Sequence, residues 1–208
     1  MWTPDATIRT AYWIGGGQWA GKTTVAGLLA GRHGLVHYHC DYHDARGHED
    51  RRIAARARRG EPPIDWAAYW TDLTPGAMAD FALDGSVERF PWVLDDLRAL
   101  VSAHAVVVDG WNLRPDLVAE VADPRRMVVL VPTEEWGRRQ AAALPRAAAF
   151  GADFPDPERV RRHRSERNRL LAADAAERAE ALGIRVIRVD GTRTAEAIAD
   201  EVAAHWTL

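Results

Sequence analysis

The chain has 208 residues, 47% of them hydrophobic, which suits one domain with a substantial core. Its formal net charge of -3 gives no global attraction to nucleic acid or to an anionic membrane surface. The single cysteine, Cys40, excludes an internal disulfide framework and suits a reducing compartment. Met1 to Asp5 show neither the basic flank nor the apolar core of a signal segment, and no apolar run reaches bilayer-spanning length. A cytoplasmic protein is therefore expected.

Residues 11–14 form a short apolar run that predicts a first strand. It leads into Gly15-Gly16-Gly17-Gln18-Trp19-Ala20-Gly21-Lys22-Thr23-Thr24, within which Gly16 to Thr23 fits G-x-x-x-x-G-K-[ST], the pattern of a phosphate-binding P-loop. Glycines let the backbone curl so that successive N–H groups face one anion. Val25, Leu28 and Leu29 then mark a helix that Gly31 and Gly34 close, so the loop also meets a helix N-terminus and its dipole. Lys22 supplies a mobile charge for outer phosphates, and Thr23 a hydroxyl for Mg²⁺. Lys and Arg together number 27, yet Lys22 is the only lysine. The exception stands where a compact ammonium suits phosphates better than a planar guanidinium.

Residues 35–40 predict a second strand ending at Asp41. Asp44 to Arg59 reads as a basic helix with Ile53 its only large apolar residue, broken by Gly60-Glu61-Pro62-Pro63. Asp65 caps a short aromatic helix bearing Trp66, Tyr69 and Trp70. Thr74-Pro75-Gly76 opens another segment, and residues 87–100 read as an amphipathic helix through Phe90, Val93, Leu94, Leu97 and Leu100. Residues 105–109 are a third strand, apolar until Asp109, and Pro115 opens a helix to about Val121. Residues 127–131 give a fourth strand, after which Thr133 caps a helix. Asp156-Pro157 caps a long Arg-rich helix ending at Gly183, residues 184–189 form a fifth strand, and Thr194 begins the last helix. This alternation predicts a parallel sheet with helices on both faces. Ligands of such sheets bind at the carboxyl ends of strands, where the glycine loop, Asp41, Asp109, Pro132-Thr133 and Asp190-Gly191 collect.

Several side chains then acquire candidate roles. Asp109, closing an apolar strand before Gly110, reads as a carboxylate that holds a metal ion together with Thr23. Asp41, with Asp44 behind it, reads as the group that accepts or orients the proton of an attacking hydroxyl; Asp44 also suits a helix N-cap. His37, His39, Cys40, Asp41, His43 and His48 resemble scattered metal ligands, but their spacing fits no zinc pattern, and a polar strand rim is the reading taken. Val160, Arg164, Arg167 and Leu171 share one helix face, so Arg164 and Arg167 are expected to reach inward and neutralise a transferring phosphoryl group. Arg138, Arg139 and Arg146 belong to the same expected lid. Trp66, Tyr69 and Trp70 form either an aromatic acceptor pocket or the small core of their region. Trp19 is placed beside the adenine or the acceptor entrance.

With these motifs the chain resembles the small-molecule P-loop kinases: the nucleoside, nucleotide, shikimate and gluconate kinase group, with chloramphenicol phosphotransferase nearby. Gly16 to Thr23 is the specific part; Asp41, Val108-Asp109-Gly110 and the Arg-rich helix are weaker matches. The resemblance implies an α/β fold, the three-layer α/β/α P-loop NTPase fold, as a single kinase domain over residues 1–208. Its implied sheet has five parallel strands in the order 2-3-1-4-5, with a helical acceptor-binding insert over residues 42–104 and an Arg-rich lid over 138–168. It implies ATP and Mg²⁺, the ion held by Thr23 and Asp109. ATP would be held by Gly16, Gly17, Gln18, Trp19, Ala20, Gly21, Lys22, Thr23 and Thr24 with Arg138, Gly191 and Thr192. Lys22, Asp41, Arg164 and Arg167 would be catalytic, and Asp41, Asp44, Trp66, Tyr69 and Trp70 would meet the acceptor.

The implied reaction is transfer of the γ-phosphate to a hydroxyl of a small molecule, such as a nucleoside or a nucleoside- or sugar-like metabolite. The partners are ATP and that acceptor, with no nucleic acid and no membrane, and the chain acts as a monomer or homodimer. Asp41-Tyr42-His43-Asp44 is not the D-x-D of shikimate kinases, so that substrate is not implied. Two alternatives stand beside it: a nucleoside monophosphate kinase, for which Arg51, Arg52, Arg56, Arg58 and Arg59 supply cations, and a non-catalytic ATP-binding switch protein. With no second lysine, the guanine-reading N-K-x-D motif of GTPases cannot exist here.

Overall fold

In the computed structural model, which describes residues 5–100 and 102–208 apart from the side chain of Arg146, the five apolar runs pair as one parallel sheet. The role expected of Arg146 thus lies outside the described residues. The strands are β1 (Tyr12–Gly16), β2 (Val36–His39), β3 (Val106–Asp109), β4 (Met127–Pro132) and β5 (Arg185–Val189), and they lie in the order β2-β3-β1-β4-β5.

Successive strand residues point to opposite faces, so a sheet buried on both sides builds two cores. Trp13, Val106, Val108, Met127 and Val129 contribute to one, and Ile14, Val107, Val128, Leu130 and Ile187 to the other. The helices, in chain order, are α1 (Ala6–Thr10), α2 (Lys22–His33), α3 (Cys40–His43), α4 (Glu49–Arg58), α5 (Trp66–Thr71), α6 (Pro75–Ala99), α7 (Pro115–Ala119), α8 (Glu134–Ala143), α9 (Pro145–Ala148), α10 (Pro157–Ala181) and α11 (Ala195–Trp206). Residues of α6 and α10 fill the first core, those of α2 and α11 the second.

Helix starts follow their capping residues. The side chains of Asp65, Thr74, Thr133, Asp156 and Thr194 each accept from the backbone N–H three residues on, which satisfies a donor the helix cannot. Each such cap contributes about 1 kcal/mol.

Two expectations need correction. The basic stretch 44–59 is not one helix: a wide turn over Asp44–His48, with Arg46 at φ −131° and ψ −105°, precedes α4. Residues 87–100 are not a separate helix either, because α6 runs unbroken from Pro75 to Ala99 through Pro91. Pro91 removes one backbone donor. The buried stripe of Met78, Ala82, Phe90, Val93 and Leu97 holds the helix on both sides of it. No helix among the described residues is long and apolar enough to cross a membrane.

Candidate functional site

The glycine loop springs from the centre of the sheet. Gly16 lies opposite Leu130 of β4 at φ 113°, and a Cβ there would stand 2.2 Å from the Leu130 carbonyl oxygen. Only glycine fits both constraints. The Gly17 N–H donates to that carbonyl at 2.9 Å, and the chain then turns through Trp19 at φ 67° before α2 begins. A left-handed conformation costs a bulky residue about 1–2 kcal/mol, so the surroundings must hold Trp19 there. Lys22 is buried and folds back, its Nζ donating to the Gly17 carbonyl at 2.7 Å. Burial lowers its pKa, against the pull of the Asp41 and Asp109 carboxylates. The ammonium thus points into the space enclosed by the loop, where an incoming anion can take it over from Gly17.

Behind the loop, Asp109 is fully buried at the end of β3. Its Oδ2 accepts from Thr23 Oγ1 at 2.8 Å. Its Oδ1 lies 2.6 Å from His37 Nε2 and 3.0 Å from His39 Nδ1. Burial pushes the Asp109 pKa up, but hydrogen bonds from His37 and Thr23 outweigh it and hold the carboxyl below its ordinary value. An ionised carboxylate only accepts, so His37 Nε2 and His39 Nδ1 each donate their own N–H to Oδ1. The sequence placed His37 and His39 on one face of a strand but not beside Asp109. That meeting needs the β2–β3 register, in which His39 lies opposite Asp109. The available signal was that both residues close their strands.

Asp41 lies in the short turn of α3, directly after Cys40. Its side chain meets solvent, yet the protein around the cleft floor desolvates the carboxylate enough to raise its pKa, while Lys22 pulls the other way. The Asp41 carboxylate makes no hydrogen bond or ion pair with the described residues; its backbone carbonyl accepts from the Asp44 N–H. Asp44 differs. It accepts from Arg89 at 3.2 Å and Asn112 at 3.4 Å, and its side chain caps no helix N-terminus. Of the two carboxylates, Asp41 is the one left open to a ligand.

Two cavities follow. The first, of about 340 Å³, lies on the β4 side and is lined by Gln18, Trp19, Pro132, Arg138, Arg164 and Arg188, among others. The second, of about 440 Å³, lies beyond β3 and is walled by Trp66, Tyr69, Trp70, Phe81 and Trp111 together with Arg52, Arg56, Arg89 and Arg167. Neither contains Asp41 or Asp109; these stand at the loop itself. The aromatic side chains therefore bound a cavity rather than a closed core.

Arg164 and Arg167, expected to converge on one group, diverge. Arg164 lines the first cavity, its guanidinium 3.9 Å from the Phe150 ring centre and 5.5 Å from that of Trp19. Arg167 lines the second, buried, donating to Asn168 Oδ1 at 2.7 Å and Tyr69 Oη at 3.3 Å and lying 5.0 Å over Trp70. Both hydrogen-bond partners are neutral. Arg52 stacks 4.9 Å over Trp66, and its buried Nε has no acceptor. Of the arginines over 51–59 that the sequence offers as cations for a phosphate acceptor, Arg52 and Arg56 line this cavity, and the burial of Arg52 is not visible in the sequence.

Gly191 and Thr192 stand apart from the first cavity. Trp136 covers Gly191, where a Cβ would lie 2.3 Å from the indole, and Thr192 closes a turn on Asp190 through two bonds of 2.9 and 2.7 Å. Arg138 is exposed, 3.8 Å from Glu134. No protein-family model matches this chain, and no curated protein matches it in sequence.

Proposed function

We propose that the chain is an ATP-dependent phosphotransferase of P-loop kinase type, moving the γ-phosphate of ATP to a hydroxyl of a small molecule such as a nucleoside or sugar-like metabolite. One observation carries the reading: the only lysine turns its Nζ into the curl of a glycine loop that ends a central parallel strand and opens a helix.

In this mechanism the loop amides and Lys22 hold the β- and γ-phosphates. Thr23 and Asp109 suit Mg²⁺ as hard oxygen donors, since the Thr23 hydroxyl donates to Asp109 and keeps its lone pairs for an ion. Bound Mg²⁺ supplies neutralisation of phosphate charge. Asp41 receives the proton of the acceptor hydroxyl as its oxygen bonds to the γ-phosphorus. The bond from that phosphorus to the bridging oxygen breaks, and ADP leaves. Arg164 supports the donor from the first cavity, with Arg138 on its rim as an outer nucleotide contact. In the second cavity Trp66, Tyr69 and Trp70 face a ring-bearing acceptor, and Arg167 holds its polar end. The free buried thiol of Cys40 fits a reducing, cytoplasmic setting.

The test is labelled ATP against nucleosides, nucleotides, sugars and aminoglycosides, with Asp41→Asn as the control variant. Turnover falls roughly 10²–10⁴-fold in that variant while ATP still binds; near-normal turnover would sink the role of Asp41. Tight ATP binding with transfer to none of these would instead favour a nucleotide switch.

A phosphate acceptor is the second reading, favoured by the buried, neutrally partnered Arg167 beside Arg52 and Arg89 in one cavity. An acid-labile anhydride product rather than a phosphomonoester identifies it.

A further inference from the structure

We propose that His37, His39 and Asp109 form a binding site for a first-row divalent metal ion of the imidazole-preferring kind, Zn²⁺ or Co²⁺ in character. The inference does not rest on the kinase reading, although the two share the Asp109 carboxylate. His37 Nε2, His39 Nδ1 and an Asp109 oxygen lie within 4.8 Å of one another.

The backbone fixes all three ligands. His37 and His39 are two apart on β2 and share its face, and His39 is the register partner of Asp109 on β3. Strand-borne ligands are held more firmly than loop-borne ones. The carboxylate is oriented as well: Thr23 binds Oδ2, which leaves Oδ1 turned to the two imidazoles. Metal sites use such outer partners to fix their ligands.

The spacing suits an ion with little movement. Tetrahedral bonds of about 2.0–2.1 Å put neighbouring ligand atoms roughly 3.3 Å apart. The present separations from Oδ1 are 2.6 and 3.0 Å and all three ligand atoms lie within 4.8 Å of one another, so no separation changes by more than about 1.5 Å. Each imidazole exchanges the N–H it points at Oδ1 for the metal and carries its proton on the other nitrogen, so no charge is lost from the ligands.

Access is one-sided. The Asp109 side chain is 0% exposed, whereas those of His37 and His39 are 25% and 18% exposed. The floor is therefore closed and the imidazole side open, which leaves a position for water or a ligand, as in sites with three protein ligands. Imidazole donors do not suit Mg²⁺, which prefers oxygen.

The experiment uses the full chain, untagged and stripped of metal, titrated with Co²⁺ alone and no nucleotide. The expected result is one equivalent of Co²⁺ with the visible ligand-field absorption of an imidazole-bound, low-coordinate ion, abolished by Zn²⁺ and indifferent to excess Mg²⁺. His37→Gln and His39→Gln should each weaken binding by roughly 100-fold or more, beyond the loss expected when only a residue hydrogen-bonded to a ligand is changed. His33→Gln, outside the cluster, should leave it unchanged. Absence of the absorption in the wild type overturns the proposal whatever the variants do. So does a folded His37→Gln/His39→Gln chain, checked by circular dichroism, that takes up Co²⁺ as the wild type does. No arm reads phosphate transfer, so failure here and failure of the kinase reading are separate results.

Discussion

Thr23 Oγ1 donates to Asp109 Oδ2 at 2.8 Å, tying the first turn of α2 to the end of β3. Thr23→Ala removes a donor from a fully buried carboxylate. The expected cost is about 1–3 kcal/mol of folding stability, read by urea unfolding. The same variant should lose the Mg²⁺-dependent part of ATP affinity, and Thr23→Ser should recover both. Loss of stability without loss of the Mg²⁺ effect would confine the hydroxyl to a structural role.

Gly16→Ala addresses the loop's shape. The new Cβ would stand 2.2 Å from a backbone oxygen at φ 113°, where no flexible side chain can yield. A loss of more than about 2 kcal/mol is expected, with collapse of ATP binding, both readable by thermal melts with and without nucleotide. A variant as stable as the parent would mean that the loop relaxes freely.

The divergence of Arg164 and Arg167 predicts a split in kinetics. Arg164→Ala should raise the KM for ATP roughly tenfold, the worth of one charge-assisted hydrogen bond of about 1.5 kcal/mol, and leave the acceptor KM nearly unchanged. Arg167→Ala should do the reverse. Equal effects of both variants on both substrates would contradict the assignment of one guanidinium to each cavity.

Asp96 predicts a pH dependence of stability. It accepts from Tyr38 at 2.7 Å and Arg51 at 3.3 Å, pairs with His48 at 2.8 Å, and has His43 within 3.4 Å. Burial raises its pKa, but the Tyr38 and His48 bonds prevail and hold it below the ordinary value. A carboxyl depressed in the folded state adds stability above the unfolded pKa of about 3.9, and loses it as pH falls through the lower folded value. Asp96→Asn should therefore be less stable at pH 7 by about 1.5–3 kcal/mol, with the gap closing below pH ~4. A pH-independent gap in denaturant melts would point to packing instead.

The five strands were legible because each is a short stretch of β-branched, aromatic or other apolar residues bounded by turn residues, nearly unbroken in β3 and β4 and interrupted by His or Arg in β2 and β5, and the caps at Asp65, Thr74, Thr133, Asp156 and Thr194 stand where their chemistry places them. Propensity misled at Pro91, where a buried apolar stripe overrides one lost donor, and the basic pattern misled at Arg46, where the chain kinks beside Gly47, a weak helix former. Within the site, Lys22 and Thr23 are local to a motif and were readable. The cluster of His37, His39 and Asp109 depends on strand register. The opposite aims of Arg164 and Arg167 depend on side-chain direction, since three helical positions differ by about 60° around the axis. Neither is present in a periodicity.

Lys22 carries the only side-chain amine in the chain, and burial lowers its pKa. The loop therefore holds a built-in reporter. An acylating reagent has one side-chain amine to find, and because that amine is buried against the Gly17 carbonyl it reacts only as the loop opens. A single mass increment on the peptide holding Lys22 would read loop occupancy directly. Any compound that shields it, whatever its identity, can then be ranked by labelling rate, so ligand discovery need not wait for the acceptor to be known.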